Sequence, residues 1–357
     1  MNLTRAIPFF ASCRAVILFA FFLSIAPLLS QVAAQTTSAN DGDWQVPRTP
    51  FGHPDLQGNW TNATLTPFER PLGWDPVLTW DKVAEIEAGQ AEIVALAAAP
   101  SDPNRPLPPG GDHPVCIDAP TTCYNEVYRE PGDRVAVVRG EPRSSLVMDP
   151  LDGRVPELTA EGRRRVEEYE ALGNQHGPYD HPELRPLAER CIVSFGFSAG
   201  PPMLPNYWYN NNYTIVQNPD YVMIMAEMVH DVRIIRLSDP KTLSNEVRPW
   251  FGDSQGRWEG NTLVVETTNL NPNHAFRGVP PSKDRTVIER FTRVDEETVL
   301  YEFTIDDPET YTSVWGGQIP FKQFDDQLYE YACHEGNYSM SNVLSGARYQ
   351  ERREEPK

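Results

Sequence analysis

Positive charge is scarce in this chain, and few of the short motifs that announce a reaction occur in it. Its 357 residues carry 31 Lys and Arg against 50 Asp and Glu, a formal charge of −19. A nucleic-acid backbone requires clustered cations, and the basic runs here sit among acids, so no nucleic-acid partner is expected. No H-E-x-x-H pair and no C-x₂₋₄-C pair occurs, which removes the usual sequence signatures of a zinc protease and of a structural zinc site. After residue 34 there is no second apolar run long enough to span a bilayer. No repeat period emerges, which argues against a propeller. Long helices are also disfavoured, because 34 prolines interrupt the chain.

What is present speaks first of compartment. Arg5 and Arg14 precede the apolar run 15–23, and Val32-Ala33-Ala34 supplies a small-residue end, so residues 1–34 read as a secretory signal cleaved after Ala34. Removal would leave 29 basic and 50 acidic residues and no stable membrane anchor. A periplasmic or secreted protein is expected. Four cysteines remain, an even number that suits an oxidising compartment. The short gap makes Cys116–Cys123 the easiest loop to close, which leaves Cys191 to pair with Cys333.

Residues 35–48 read as a flexible leader. Residues 49–206 read as an N-terminal extension with two helices, one capped by Thr79 and ending near Ala99, the other opened by Thr159 and running to about Leu172. Short strands are expected at 134–138 and 144–148. From residue 207 to 357 the chain turns to Val, Ile, Tyr and Thr punctuated by Asn, Asp, Pro and Gly. Strands are expected at 213–217, 221–228, 232–237, 262–268, 285–294, 298–305, 310–315, 318–324 and 327–333. With no helix between them they imply an antiparallel sheet, closed as a barrel to remove its edges; a β-sandwich is the alternative. Residues 252–261 read as two turns around a short strand, with Asp253 and Ser254 structural rather than catalytic.

Several segments, Pro54 to Trp60, Glu227 to Ile235, Gly252 to Val265 and Glu330 to Tyr338, resemble a family of uncharacterised exported bacterial proteins. That resemblance implies export and no particular reaction. Gly58-x-Trp60 ahead of many antiparallel strands is also similar to lipocalin-like barrels, so a mainly β, lipocalin-like fold is expected.

Chemistry concentrates in Glu227-Met228-Val229-His230-Asp231-Val232-Arg233. Four ionisable groups interrupt an apolar strand pair, and burying them is costly unless they pair. One reading is an Arg–carboxylate clamp at a strand turn. The other is an acid–base site with His230 as general acid–base, Glu227 or Asp231 orienting it and Arg233 neutralising an anionic group on the substrate or holding a carboxylate. Tyr207, Tyr209 and Asn211 offer rings and an amide for a binding wall or a plug. His334 and Glu335 follow Cys333 and are expected to join the ligand-binding set, and His274 lies in a loop. No cofactor is expected, although His230 and His334 with Glu227 or Glu335 could hold a divalent metal if they met. Three functions follow: an acid–base enzyme of hydrolase or lyase and isomerase type acting on a small, partly apolar molecule, a lipocalin-like carrier or sensor of an apolar ligand, or a structural envelope protein.

Overall fold

The computed structural model describes residues 44–98, 130–194, 199–205, 210–238 and 242–354. The expected signal, residues 35–43 of the expected leader and the Cys116–Cys123 pair fall outside these ranges; the end of that leader is held rather than free, since Pro47 O accepts from Asp55 N at 2.8 Å and Arg48 donates to Asn261 Oδ1 at 2.9 Å. Among the described residues there are twelve strands: β1 (Gly58–Thr61), β2 (Val137–Val138), β3 (Glu141–Pro142), β4 (Val147–Asp149), β5 (Asn212–Gln217), β6 (Tyr221–Ala226), β7 (Val232–Arg236), β8 (Asp253–Glu259), β9 (Thr262–Thr268), β10 (Thr286–Arg293), β11 (Thr298–Asp306) and β12 (Trp315–Gln323). Strand β1 and strands β5 to β12 close a nine-stranded barrel, because β1 pairs with both β5 and β12. β4 extends the sheet along the remaining edge of β12. The barrel therefore draws on chain from both sides of residue 206, the boundary expected between extension and β domain.

Alternation drives this closure. In β10, Val287, Glu289 and Phe291 are buried while the residues between them are partly open; in β11, Val299, Tyr301, Phe303 and Ile305 all join the core. Trp60 from the Gly-x-Trp of β1 is 1% exposed, donates its indole N–H to Leu56 O at 2.9 Å, and lies under the Arg293 guanidinium at 5.4 Å.

Three expectations need correction. The barrel is not wholly antiparallel: β7 and β8 run parallel through Ile235↔Ser254 and Arg236↔Gln255. The connection 237–252 is long enough to return the chain to the opposite end, which a hairpin cannot do. Residues 310–315 and 318–324 are not two strands, since β12 runs unbroken from Trp315. Residues 327–333 form no strand, because β1 and β4 already occupy the edge of β12 that a further strand would need.

The two expected helices are α1 (Trp80–Ala98) and α2 (Ala160–Gln175), capped by Thr79 and Thr159 through bonds from Lys82 N and Gly162 N. α2 seats on the 307–310 turn where Gly162 permits close approach, as a Cβ there would lie 2.4 Å from Thr310 O. A third helix, α3 (Tyr338–Glu354), was not expected. It is polar and half-exposed, and Asn337 caps it by accepting from Met340 N at 3.4 Å. Among the described residues no helix is long and apolar enough to cross a membrane.

The lumen is filled. Tyr213 stacks on Phe321 with centroids 5.5 Å apart, Tyr301 lies 5.1 Å from Phe321, and Phe291 lies 5.0 Å from Tyr301. Residues 199–205 are buried throughout. Among the rings, Arg233 grips Glu289 with both nitrogens, at 3.0 and 2.5 Å, and Tyr301 donates to the same carboxylate at 2.9 Å. Arg233 also donates to Ala199 O at 3.2 Å, and Met203 N donates to the Tyr301 hydroxyl at 2.8 Å, so the pair anchors the buried segment. Burial lowers the Arg233 pKa, but Glu289 opposes this and the net shift is upward.

Removing one partner of such a pair strands the other charge. Glu289→Ala is expected to cost about 3–5 kcal/mol, whereas Arg233→Met with Glu289→Leu should recover most of that loss. Urea unfolding of the three proteins checks this; equal stability of single and double variants would show that the pair is not holding the lumen.

Candidate functional site

β6 stops at Ala226 because the next five residues turn the chain back into β7. Ala226 N bonds Asp231 O at 2.8 Å, closing the turn, and a short 3₁₀ segment, Met228–His230, fills it. Val229 and His230 both adopt positive φ, 59° and 48°. A β-branched residue rarely does so, and such strain persists only where surroundings impose it. Here Met228 and Val229 are buried and act as the wedge, which turns His230 out to solvent.

The four expected catalytic residues therefore part company. Glu227 and Asp231 stay at the turn. Arg233 points into the lumen and pairs with Glu289, so it closes no clamp with either of them and holds no anion at the turn. His230 is exposed beside them.

Glu227 is 5% exposed and firmly held: Oε2 accepts from Asn212 Nδ2 at 2.9 Å, and Oε1 accepts from Tyr329 N at 2.9 Å. The same Asn212 nitrogen donates to Glu130 Oε2 at 3.1 Å. Two carboxylates thus share one amide. Burial, above all, lifts the Glu130 pKa; the Asn212 bond opposes the rise, while Glu227 and Asp326 add to it. Asp231 is 8% exposed, and among the described residues its Oδ2 has no hydrogen-bond partner. Burial pushes its pKa up to about 7, against the pull of a bond from the Ser194 backbone.

The expected binding residues are scattered. Tyr207 and Tyr209 lie outside the described residues. Asn211 is wholly buried and donates to Glu130 O at 3.0 Å, so it supports the site from beneath. Cys191 and Cys333 form the expected disulfide. His334 and Glu335 are exposed in the turn after Cys333, and His334 bonds backbone to backbone with Asn337. What the disulfide region brings to Glu227 is instead the backbone of Tyr329. His274 is buried, its Nδ1 at 2.9 Å from Trp250 O, and burial lowers its pKa. Among the described residues no group of three His, Cys, Asp or Glu is arranged to hold a metal ion.

Gly252-Asp253-Ser254-Gln255-Gly256 spells the G-x-S-x-G pattern of a nucleophile elbow, yet its serine is not one. An elbow serine stands on a strand-to-helix turn. Ser254 instead lies within β8, is 4% exposed, and meets Thr267 Oγ1 at 2.8 Å and Arg233 at 3.3 Å inside the barrel. The strand between two turns expected over 252–261 is β8 itself.

Glu130, Asn212 and the Tyr329 amide were missed by sequence reading. The run Asn210-Asn211-Asn212 before an apolar strand was the available signal for the second; nothing local marks the others. Comparison with protein-family models, with curated proteins and with solved structures finds no match to this chain.

The disulfide closes a loop spanning a sequence separation of 142 residues. Replacing both Cys191 and Cys333 with Ser is expected to lower stability by about 2–4 kcal/mol. Denaturant titration measures this, and peptide mapping of the unreduced protein should recover the two cysteines joined.

Proposed function

We propose that this is an exported enzyme whose β6–β7 turn performs acid–base chemistry on a small molecule, in the hydrolase or lyase and isomerase range. The observation that carries the reading is Asp231, a buried carboxyl with one oxygen unpartnered among the described residues and a pKa about 7. Such a group accepts a proton at neutral pH and returns it readily, the property a general base needs. Glu227, locked by Asn212 and Tyr329 N, supplies a carboxyl fixed in place, and His230 stands exposed as the second proton carrier. With Arg233 withdrawn into the lumen and Glu130, Glu227 and Asp326 nearby, the surroundings favour a neutral or cationic substrate over an anionic one. Export is supported by the signal pattern, the family resemblance and the Cys191–Cys333 disulfide. The carrier alternative is less favoured, because stacked rings and residues 199–205 occupy the lumen an apolar ligand would enter.

Asp231 gives the test its sign. Its folded pKa lies above the unfolded value near 3.8, so the folded state keeps the proton over a range in which the unfolded chain has lost it. Stability from this group is full below pH ~4 and is lost as pH rises through about 7. Asp231→Asn should therefore unfold at higher temperature than wild type at pH 8, with the difference shrinking toward pH 4. Turnover on a panel of small esters, lactones and carbonyl compounds should rise through about pH 7 in wild type. Asp231→Asn should reduce it at least about 100-fold, with Glu227→Gln also impaired. A purely structural turn predicts the stability effect alone; unchanged turnover in both variants would remove the assignment.

A further inference from the structure

β7 and β8 lie side by side for only two residue pairs, and beyond them the strands part. β7 leaves the sheet after Arg236 while β8 continues to Glu259. A cavity of about 250 Å³ opens at this fork on the outer wall of the barrel. Its lining mixes charged and polar side chains with the apolar Leu237 and Gly256. The register sets Arg236 beside Gln255 and Gln255 beside Glu266, and Arg257 follows two residues along β8 on the same face.

The charges in this lining are not equally available. Asp253 is saturated, with Oδ1 2.5 Å from Arg236 and Oδ2 accepting from Leu243 N at 2.8 Å; it forms a wall and fixes Arg236. Arg257 holds Glu259 through Nε at 3.0 Å and a terminal nitrogen at 2.8 Å, and Arg290 takes the same carboxylate at 2.9 Å, so two guanidiniums share one acid. Glu266 is exposed and lines the cavity, and among the described residues it makes no ion pair or side-chain hydrogen bond. Arg257 and Glu266 are diagonal neighbours across β8 and β9, a spacing of about 7–8 Å that long side chains bridge. A guanidinium whose carboxylate is shared, and a carboxylate with no ion pair among the described residues, thus face a single small cavity.

We infer that this cavity binds a small zwitterion of the α-amino acid type, its carboxylate on Arg257 and its ammonium on Glu266. Arg236 and Thr268 complete the polar wall around it. The volume is below the roughly 300–1,000 Å³ of drug-sized pockets, which suits a free amino acid better than a peptide. Single-charge ligands satisfy only half of the pair. Neutral sugars satisfy neither charge.

Calorimetric titration of the full chain with each of the twenty amino acids tests this, followed by the N-acetyl and carboxamide derivatives of the tightest binder. Saturable binding is expected, at least tenfold weaker in Arg257→Gln and in Glu266→Gln. The N-acetyl derivative, which has lost its ammonium, should bind wild type and Glu266→Gln alike; the carboxamide should bind wild type and Arg257→Gln alike. Both side chains are exposed, and unchanged melting temperatures would confirm folded variants. The Asp231-dependent pH profile should be the same in both variants, so this inference and the acid–base proposal fail separately. No saturable binding by any amino acid, or binding indifferent to both substitutions, would overturn it.

Discussion

Arg233 on β7 and Glu289 on β10 meet inside the barrel with both carboxylate oxygens engaged, and the cost of desolvating these two charges dictates much of what surrounds them. Remaining donors and acceptors must also be satisfied. Tyr301 and Ser254 turn their hydroxyls toward the pair, and Ala199 offers a carbonyl. The pair therefore recruits groups from two further strands, β8 and β11, and from the buried segment 199–205. A lumen packed only with rings could slide in register, whereas a bidentate ion pair tolerates little displacement.

That anchoring has a consequence for the β6–β7 turn. With Arg233 held inward, the strand must reverse within Glu227 to Asp231, and the buried Met228 and Val229 leave it no relaxed conformation. The strain falls on Val229 and His230, and the carboxyl of Asp231 is carried out of water without a full set of partners. Opposite the turn, the Cys191–Cys333 bond fixes the C-terminal segment whose Tyr329 amide holds Glu227. Core, turn and disulfide thus act on one small region.

Charge is distributed unevenly over the two regions of interest. The turn collects Glu130, Glu227 and Asp231, while the fork between β7 and β8 offers both signs. Each arises where regular pairing stops: at a reversal in the first case, at the end of a short parallel overlap in the second. Continuous ladders satisfy backbone groups and leave little room, so recesses form at such interruptions.

The sequence by itself favoured a barrel over a sandwich and indicated both expected helices and their threonine caps, the strand between two turns at 252–261, and Cys191 with Cys333 as partners. All but the cysteine pairing, which was what remained once Cys116 was assigned to Cys123, rest on local signals: alternation of period two, a hydroxyl before a helical run, glycines at turns. Even the concentration of ionisable groups at 227–233 was visible, since charges in an apolar strand pair stand out locally. Only the tertiary structure decided where they go. That Arg233 chooses Glu289 over Glu227, that Glu227 shares Asn212 with Glu130, that β7 lies parallel to β8, and that Tyr329 and not His334 reaches the turn depend on strand order and closure. Ion-pair choice is set by distance through space after the chain has closed, and no spacing along the chain encodes it.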